Sequence, residues 1–310
     1  MKKNTKKILV TGSSGFVGQN LILKLSKKFT KYKIYSLYHK NIQNFKSPKN
    51  VQLIKVNLLK VDELKKIPND FDFLIHLAGN PQTFLDKKEG QSQIINNVTM
   101  TYNIINKLIE SQCKKMIFLS SVYVYSGSNK NIYNEKINVF PKEPLGISKF
   151  YCEKILSEFC ESFQIKCICF RAFTIYGKGS RKKQFITSTI NKFKSKNNFL
   201  KFGNPKIKRD FIHVQDVVSA IIKSLSKFNK IDTNFFTLNL ATGKSVDIKK
   251  TIKIISKLLN IDKNYIFNTF KDNKHGDCNH KANINKIKKF LKWKPKINLE
   301  NGLKIMVNQK

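Results

Sequence analysis

Three evenly spaced glycines near the N-terminus constrain this chain more than any other feature. The apolar segment Ile8–Val10 leads into Gly12, Gly15 and Gly18, and an amphipathic stretch follows directly. Such a triplet is informative when it joins a buried strand to a helix. The first glycine allows a tight turn, the second allows backbone to approach a pyrophosphate, and the third lets the helix pack on the strand. The pattern therefore predicts a nucleotide-binding β-α unit.

The N-terminal half alternates short apolar runs with longer helical patterns, as in a parallel sheet wound with helices. The apolar runs lack polar alternation, which indicates strands covered on both faces. They predict strands at Ile8–Thr11, Ile34–Tyr38, Val51–Val56, Phe73–Leu77, Met116–Ser120 and Cys167–Arg171. Helical periodicity predicts helices over Phe16–Lys27, about Gln91–Gln112 and about Leu145–Phe163. The predicted fold class is α/β, a Rossmann-type doubly wound parallel sheet over residues 1–172.

The pattern changes after Arg171, and residues 173–310 are expected to form mainly a smaller α/β lobe that binds substrate, with some segments returning to the first domain. Polar residues over Tyr176–Lys183 predict a loop. Further strands are predicted at Asp210–Val214 and Phe236–Leu240, and helices at Asp216–Phe228, Asp247–Leu259 and Ile284–Leu291. Pro295 is expected to end the last of these helices.

The formal net charge of +39 raises the question of a nucleic-acid or anionic-membrane partner. All but three of the 59 basic residues are lysines, and they are spread along the chain without a long cationic block. Arginine is preferred for bidentate contacts to phosphate and guanine, so its scarcity weakens that interpretation. We interpret the lysines as solvated surface residues and expect no nucleic-acid and no membrane partner.

The apolar runs of the sequence bear on where the protein is located, and the cysteines bear on metal binding. No apolar run reaches the roughly 18–20 residues that span a bilayer, and the one after the basic N-terminus is too short for a signal peptide. The six cysteines form no C-x-x-C pair, and Cys167 and Cys169 alternate as in a buried strand. We therefore expect no metal site, reduced thiols and a cytoplasmic protein.

The end of the second predicted strand, where the adenosine ribose is usually recognised, reads Tyr38-His39-Lys40 and contains no acid. An acid there accepts hydrogen bonds from the ribose 2′-hydroxyl, whereas a basic residue accommodates a 2′-phosphate. The segment therefore favours NADP over NAD as the cofactor, and NAD stays open.

A series of short motifs follows the glycine turn along the chain. They are Asn57-Leu58, His76-Leu-Ala-Gly79, Asn97-Val98, Ser120-Ser-Val-Tyr-Val-Tyr125, Arg171-Ala-Phe-Thr-Ile-Tyr-Gly177, Arg209-Asp-Phe-Ile-His-Val-Gln-Asp216, Asn239-Leu-Ala-Thr-Gly243, His275-Gly-Asp277 and Leu291-Lys-Trp-Lys-Pro295. In this order they resemble the extended short-chain dehydrogenases/reductases, in particular the NAD-dependent epimerase/dehydratase group that acts on nucleotide sugars. The resemblance extends from Lys7 to about Leu303.

The resemblance implies which residues form the site. Ser121 would hold the reacting oxygen as the catalytic serine, and Lys149 would bind the nicotinamide ribose. The implied cofactor contacts are Gly12, Gly15, Phe16, Val17, Gly18, Tyr38, His39, Asn57, Leu58, Leu77, Ala78, Gly79 and Lys149. The implied substrate contacts are Ser121, Thr174, where the family has asparagine, Arg209 on the diphosphate, and Lys274 as the basic residue near the C-terminal Gly-Asp. Arg171 and His213 are interpreted as structural.

One departure from the family bears on catalysis. The Tyr-x-x-x-Lys motif, whose tyrosine exchanges a proton with the sugar hydroxyl, reads Leu145-Gly-Ile-Ser-Lys149 here. Leucine cannot exchange a proton, and loss of general acid–base catalysis typically slows a reaction by ~10²–10⁴. Three explanations are open. In the first, another group acts as the base, and the candidates are Tyr123, Tyr125, Tyr133 and Lys149. In the second, a different acid–base pair catalyses dehydration or epimerisation of an already activated ketosugar. In the third, the protein binds NADP and a nucleotide sugar without catalysing a reaction. Tyr151 is expected on the opposite side of the helix from Lys149.

We therefore expect an NAD(P)-dependent nucleotide-sugar epimerase, dehydratase or reductase, that is, an isomerase, lyase or oxidoreductase. The resemblance implies a role in surface-polysaccharide sugar biosynthesis and a homodimer formed through the helices at Gln91–Gln112 and Leu145–Phe163. The alternative is a catalytically silent protein of the same fold that binds NAD(P) and a nucleotide sugar. A weaker third hypothesis is a nucleic-acid or membrane-surface binder, whose affinity would fall steeply with salt.

Overall fold

The structure is a computed structural model, and it describes residues 5–39, 47–82, 87–111, 113–128, 130–268 and 279–308. The chain divides into two compact units. The first comprises Met1–Gly127, Asn138–Arg171 and Val218–Leu238, and the second comprises Ser128–Ile137, Ala172–Val217 and Asn239–Lys310. Within the described ranges, no helix is long and apolar enough to cross a membrane.

A seven-stranded sheet forms the core of the first unit. Its strands are β1 Lys7–Thr11, β2 Lys33–Tyr38, β3 Val51–Lys55, β4 Phe73–His76, β5 Lys115–Ser121, β6 Lys166–Ala172 and, after the strands of the second unit, β10 Phe235–Leu240. The helices around it are α1 Phe16–Lys28, α2 Lys87–Glu110, α3 Pro144–Ser162 and α5 Val214–Ser224. The spatial order is β3-β2-β1-β4-β5-β6-β10, and the four pairings from β3 to β5 are parallel. The strand order therefore reverses at β1, between β2 and β4, where ligands bind in open α/β sheets.

The central strands of the sheet are apolar along most of their length. Ile8, Leu9 and Val10 are fully buried in succession, as are Leu74 and Ile75 in β4. Continuous burial, instead of alternation, is what helices on both faces of a sheet require. The predicted fold class is confirmed, and the six predicted strands agree with the structure to within one residue at either end.

The second unit contains smaller sheets and short helices. A three-stranded sheet has the order β11-β9-β7 and a two-stranded sheet pairs β12 with β8. The bounds are β7 Thr174–Tyr176, α4 Phe185–Lys194, β8 Phe199–Lys201, β9 Lys208–His213, β11 Ser245–Asp247, α6 Ile248–Leu259, β12 Asn264–Ile266, α7 Asn285–Leu291 and α8 Leu299–Val307. The buried Asp210 carboxylate accepts hydrogen bonds from the backbone of Thr242 and Gly243, which ties β9 to the turn after β10.

Several predictions for the C-terminal third were wrong or incomplete. The helix predicted over Asp216–Phe228 begins at Val214 and ends at Ser224, and a separate 3₁₀ turn covers Phe228–Lys230. The last predicted helix ends at Leu291 because Lys292 takes a left-handed conformation (φ 47°), and not because of Pro295. The elements that were not predicted are β7, α4, β8, β11, β12 and α8. They are short, or, like α4, rich in β-branched residues that favour helices weakly.

A buried ion pair joins β6 to α3 in the first unit. The Arg171 guanidinium donates through Nε and Nη2 to the Glu153 carboxylate, and through Nη1 to the hydroxyl of Tyr125. The Ser120 hydroxyl at the end of β5 also donates to Glu153. Burial lowers the pKa of Arg171, but the Glu153 carboxylate outweighs it, so that the pKa lies above the usual value. Arg171 is therefore structural, as interpreted from the sequence.

Replacing only one partner of this buried ion pair should destabilise the protein strongly. Arg171→Met leaves the Glu153 carboxylate buried without its cation, for which we expect a loss of about 3–5 kcal/mol in the free energy of unfolding. The double variant Arg171→Met/Glu153→Met should recover most of that loss, since no buried charge remains. Urea unfolding measures both. As a control, Lys65→Ala removes the exposed ion pair with Asp62 and should leave the midpoint unchanged. Equal losses in the single and double variants would contradict the argument.

Candidate active site

The glycine turn lies between β1 and α1, at the point where the strand order reverses. Gly12 has φ +66°, and a Cβ atom there would lie 2.6 Å from the backbone nitrogen of Ala78. Only glycine therefore lets the turn approach the end of β4. Gly15 is exposed, and no side chain caps the helix that begins at Phe16. The first amides of α1 are thus available to an anion at the switch point.

The end of β4 is held by a buried histidine. His76 Nδ1 lies 2.7 Å from the hydroxyl of Thr11 in β1, and Nε2 lies 3.2 Å from the hydroxyl of Thr101 in α2. The Thr11 hydroxyl also accepts a hydrogen bond from the backbone amide of Ala78. Burial, and to a lesser degree the Lys149 charge, lower the pKa of His76 to about 3. The imidazole is therefore neutral and joins β1, β4 and α2 through its two ring nitrogens.

Asn97 in α2 connects the end of β4 to α3. Its side-chain oxygen accepts a hydrogen bond from the backbone amide of Asn80 at 2.7 Å, and its amide nitrogen donates to the hydroxyl of Ser148 at 3.0 Å. Asn97 is itself buried. The asparagine therefore braces the loop after Gly79 against the helix that carries Lys149.

Lys149 lies in the first half of α3 and is only 7% exposed. Its Nζ atom is 4.7 Å from the centre of the Phe118 ring, and 3.3 Å from the position that a Cβ on Gly79 would occupy. Gly79 (φ +155°) thus leaves room for the ammonium group. In the part of the chain that the structure describes, the ammonium makes no hydrogen bond or ion pair. Burial lowers the pKa of Lys149 below its usual value.

Ser121 and Leu145 occupy the neighbouring ends of β5 and α3. Ser121 is half-buried and caps the 3₁₀ turn that covers Val122–Tyr125. Its hydroxyl accepts a hydrogen bond from the backbone amide of Tyr123. Leu145 is buried in the first turn of α3. The turn packs against α3, because a Cβ on Gly146 would lie only 2.4 Å from the carbonyl oxygen of Tyr123. The structure thus gathers Ser121, Leu145, Gly79 and Lys149 in the first unit.

The tyrosines considered as a substitute base differ in their surroundings. Tyr125 is fully buried, and its hydroxyl accepts the hydrogen bond from Arg171. Tyr133 belongs to the second unit, where it is buried and bridges to Ala282. Tyr123 is half-buried. Tyr151 is 52% exposed while Lys149 is buried, which confirms that it lies on the other side of α3.

The residues that are predicted to contact the adenosine half of the cofactor lie at the end of β2 and after β3. Tyr38 is half-buried and His39 exposed, while Lys40 is outside the described residues. The backbone amide of Asn57 donates to Glu63, and Asn103 donates to the carbonyl oxygen of Leu58. The loop after β3 is therefore fixed by hydrogen bonds on both sides of its Asn-Leu pair.

The predicted substrate contacts of the second unit are Thr174 and Arg209. Thr174 begins β7, opposite Phe211 of β9, and is half-buried. Arg209 lies in β9, half-buried, with Nη1 donating to the carbonyl oxygen of Lys208. The neighbouring Asp216 carboxylate accepts from the backbone amides of Lys296 and Ile297. His213 is buried, as interpreted from the sequence. Lys274 lies outside the described residues.

Sequence reasoning missed Glu143, which precedes α3. The residue is buried, and neither of its carboxylate oxygens has a hydrogen-bond partner among the residues that the structure describes. An acidic residue before a helix-opening proline ordinarily indicates only an N-cap, and no motif pointed to it. Glu143 differs from an ordinary N-cap residue because it is buried, and the local sequence does not predict that burial.

Comparison with known proteins settles the family. The sequence profile of the NAD dependent epimerase/dehydratase family matches residues 8–240. The chain belongs to this family. An uncharacterized UDP-glucose epimerase of Bacillus subtilis strain 168 is 27% identical, over 96% of this chain and 95% of its own. The dTDP-4-dehydro-6-deoxyglucose reductase of Escherichia coli is 26% identical over the same shares.

Solved structures support the fold of this family member. The UDP-glucose 4-epimerase of Thermotoga maritima, solved with UDP-glucose, superposes with a TM-score of 0.86 at 23% identity, over 97% of each chain. The UDP-glucuronic acid 4-epimerase of Bacillus cereus, solved with NAD, superposes with a TM-score of 0.84 at 24% identity, over 96% of this chain and 94% of its own. At these identities the likeness concerns the fold alone.

The burial of Lys149 predicts a pH-dependent stability in the cofactor-free protein. Because burial lowers its pKa, the unfolded chain binds more protons than the folded one between the lowered value and the usual 10.5, and stability rises with pH across that window. We expect Lys149→Met to be the more stable protein at neutral pH, with the difference shrinking towards pH 10.5. Thermal unfolding of both proteins between pH 7 and 10.5 measures this.

The control for this measurement is Lys154→Met, which removes an exposed ammonium from the same helix. We expect its midpoint at neutral pH to equal that of the unchanged protein. A Lys149→Met protein that is less stable at neutral pH would show that the buried ammonium is stabilising, contrary to the geometry.

Proposed function

We propose that this protein is an NAD(P)-dependent enzyme that epimerises, dehydrates or reduces a nucleotide sugar. The observation that carries the proposal is Lys149. A buried ammonium without an acidic partner costs free energy, and a fold of this kind does not require it. The lysine nevertheless lies beside Gly79, on the helix that Asn97 braces, in a chain that also keeps the glycine turn. We infer that it serves a ligand.

The described residues fit a dinucleotide. The exposed Gly15 and the uncapped start of α1 would hold the pyrophosphate, and the loop from Leu77 to Gly79 would lie along the nicotinamide half. The half-buried Tyr38 and exposed His39 after β2 present no carboxylate, which favours NADP. When bound, the dinucleotide supplies a hydride acceptor or donor.

The substrate side of the proposal rests on the relatives and on the chemistry of the side chains. Relatives at 24–29% identity are named for UDP- and dTDP-sugars. In this chain the Ser121 hydroxyl would bind the reacting oxygen, and the planar Arg209 guanidinium suits a diphosphate. Thr174 and Lys274 would complete the substrate contacts. We further propose a cytoplasmic homodimer that serves surface-polysaccharide sugar biosynthesis.

A second candidate function is favoured by one observation. Leu145 is 4% exposed and aliphatic at the position that the resemblance assigns to the proton-exchanging tyrosine. If no other group exchanges the proton, the protein would bind NAD(P) and a nucleotide sugar without turning the sugar over. The two candidates differ in turnover and agree in ligand binding.

A negatively charged side chain at Gly15 tests whether the glycine turn binds the pyrophosphate of the cofactor. The residue is exposed, so we expect Gly15→Asp to fold and to weaken NADP and NAD binding by at least tenfold, since its carboxylate would meet the pyrophosphate. Gly15→Ala is the matched control and should weaken binding much less, because its Cβ would lie 3.1 Å from a single atom, the Gly12 carbonyl oxygen. Titration calorimetry measures both. Equal affinities of Gly15→Asp and the unchanged protein would refute the assignment.

Turnover decides between the two candidate functions. The purified protein would be incubated with UDP-, GDP- and dTDP-sugars and NAD or NADP, and the products would be followed by chromatography with mass detection. The proposed enzyme converts one of these sugars to an isomer, a dehydrated product or a reduced product. Binding without any product, together with turnover gained in Leu145→Tyr, would establish the silent binder.

A further inference from the structure

The carboxyl group of Glu143 has no structural role that its contacts explain, and it lies two residues before Leu145 in the chain. Glu143 is 5% exposed, and in the described part of the chain both carboxylate oxygens lack a hydrogen-bond partner. Leaving a buried polar group unsatisfied costs about 1–3 kcal/mol, and more when the group is charged. Buried carboxyl groups elsewhere in the chain are satisfied: Glu153 holds Arg171, and Asp210 accepts from Thr242 and Gly243. The cost at Glu143 therefore calls for a function.

Capping of the helix does not account for Glu143. The residue occupies the N-cap position of α3, with extended backbone, but its side chain accepts no hydrogen bond from the first turn. Asp247 and Asn298 occupy the same position on α6 and α8, and each accepts from the amide three residues later. Glu143 therefore places at the start of α3 a buried carboxyl group that the helix does not use as a cap.

The segment around Glu143 is held against the residues that follow Ser121. The backbone amide of Lys142 donates to the hydroxyl of Ser126 at 2.9 Å. The Pro141 side chain and the Tyr123 carbonyl both approach Gly146 in the first turn of α3. Glu143 precedes Leu145 by two residues, so their Cα atoms are at most about 7 Å apart. Glu143 therefore stands at the same end of α3 as Leu145, the leucine at the position of the tyrosine.

We propose that Glu143 exchanges the proton that Leu145 cannot, an inference that rests on the proposed function. In the oxidative direction the O–H bond of the sugar breaks and its proton passes to the Glu143 carboxylate. The C–H bond of the same carbon breaks, its hydride leaves with both electrons to bound NAD(P)⁺, and a C=O bond forms. In the reductive direction the carboxylic acid returns the proton to the oxygen as the carbon regains a hydride. Leu145 then excludes water from that place, and Lys149 keeps its charge for the cofactor.

The test compares four variants with the unchanged protein, using the sugar that the turnover panel identifies. Glu143→Gln should slow single-turnover hydride transfer, followed by nicotinamide absorbance, by ~10²–10⁴. The dissociation constants of NAD(P) and of the sugar nucleotide should change less than threefold. Leu145→Tyr/Glu143→Gln should regain transfer, because the phenol restores a proton carrier, whereas Leu145→Tyr alone should remain active. Glu158→Gln removes an exposed carboxylate from the same helix and should change nothing.

A measurement that does not depend on activity accompanies the kinetics. Because the Glu143 carboxyl group lacks partners, Glu143→Gln and Glu143→Leu should unfold at a temperature equal to or above that of the unchanged cofactor-free protein. A structural role would lower it. In infrared difference spectra of sugar-nucleotide binding, a carboxyl band should be present and should vanish in Glu143→Gln.

The outcomes separate the two proposals. If the unchanged protein converts a sugar and Glu143→Gln does so at the same rate, the role of Glu143 is refuted and the proposed function stands. Loss of sugar affinity alone, or a lowered unfolding temperature with unchanged single-turnover rate, also refutes it. Loss of transfer in Tyr123→Phe, with Glu143→Gln still active, would assign the proton to that phenol instead. If the unchanged protein converts no sugar, the proposed function fails and the role of Glu143 fails with it.

Discussion

The close approach of the Gly12 turn to the end of β4 is the constraint on which the first unit depends. No side chain fits between Gly12 and Ala78, so the backbone of the turn touches the neighbouring strand end. The contact starts α1 at the point where the strand order reverses, and His76 extends it by joining Thr11 to Thr101. Asn97 then connects the same loop to α3. Glycine packing and four buried polar side chains thereby fix the relative positions of the glycine turn and Lys149.

The buried ionisable side chains of α3 and its N-cap are of two kinds, those with an ion-pair partner and those without one in the described part of the chain. Glu153 is neutralised by Arg171, and the pair joins three elements of the sheet and helix layers. Lys149, one turn earlier, and Glu143, at the start of the helix, are buried without an opposite charge in contact. A charge paired in this manner contributes to the architecture, whereas an unpaired one lowers stability and is retained where a ligand or a reaction uses it. On the function we propose, the chemistry lies at the start of α3 and in its first half, and the structural ion pair lies at Glu153, in the middle of the helix.

The chain combines the family's fold with a leucine at the position that the resemblance assigns to the proton-exchanging tyrosine. The chain keeps the glycine turn, the bracing Asn97 and the lysine, and it aligns over nearly its whole length with curated nucleotide-sugar enzymes. Leu145 and Thr174 depart from the family's motifs. If Glu143 exchanges the proton, as we propose, the sheet, the helix and the cofactor contacts need not move, because Glu143 precedes Leu145 by only two residues.

The sequence by itself determined the strand–glycine turn–helix unit and the strands of the seven-stranded sheet, because these depend on local patterns of apolar and glycine residues. Lys149 was found through the resemblance of Leu145–Lys149 to the family's Tyr-x-x-x-Lys motif. It did not predict α4, whose β-branched residues form a helix by packing Ile186, Ile190 and Phe193 into the core of the second unit. Only the tertiary structure decided that Lys149 and Glu143 are buried without partners while Arg171 is paired. The physical reason is that burial and pairing depend on segments far apart in the chain, which meet only when the fold has formed.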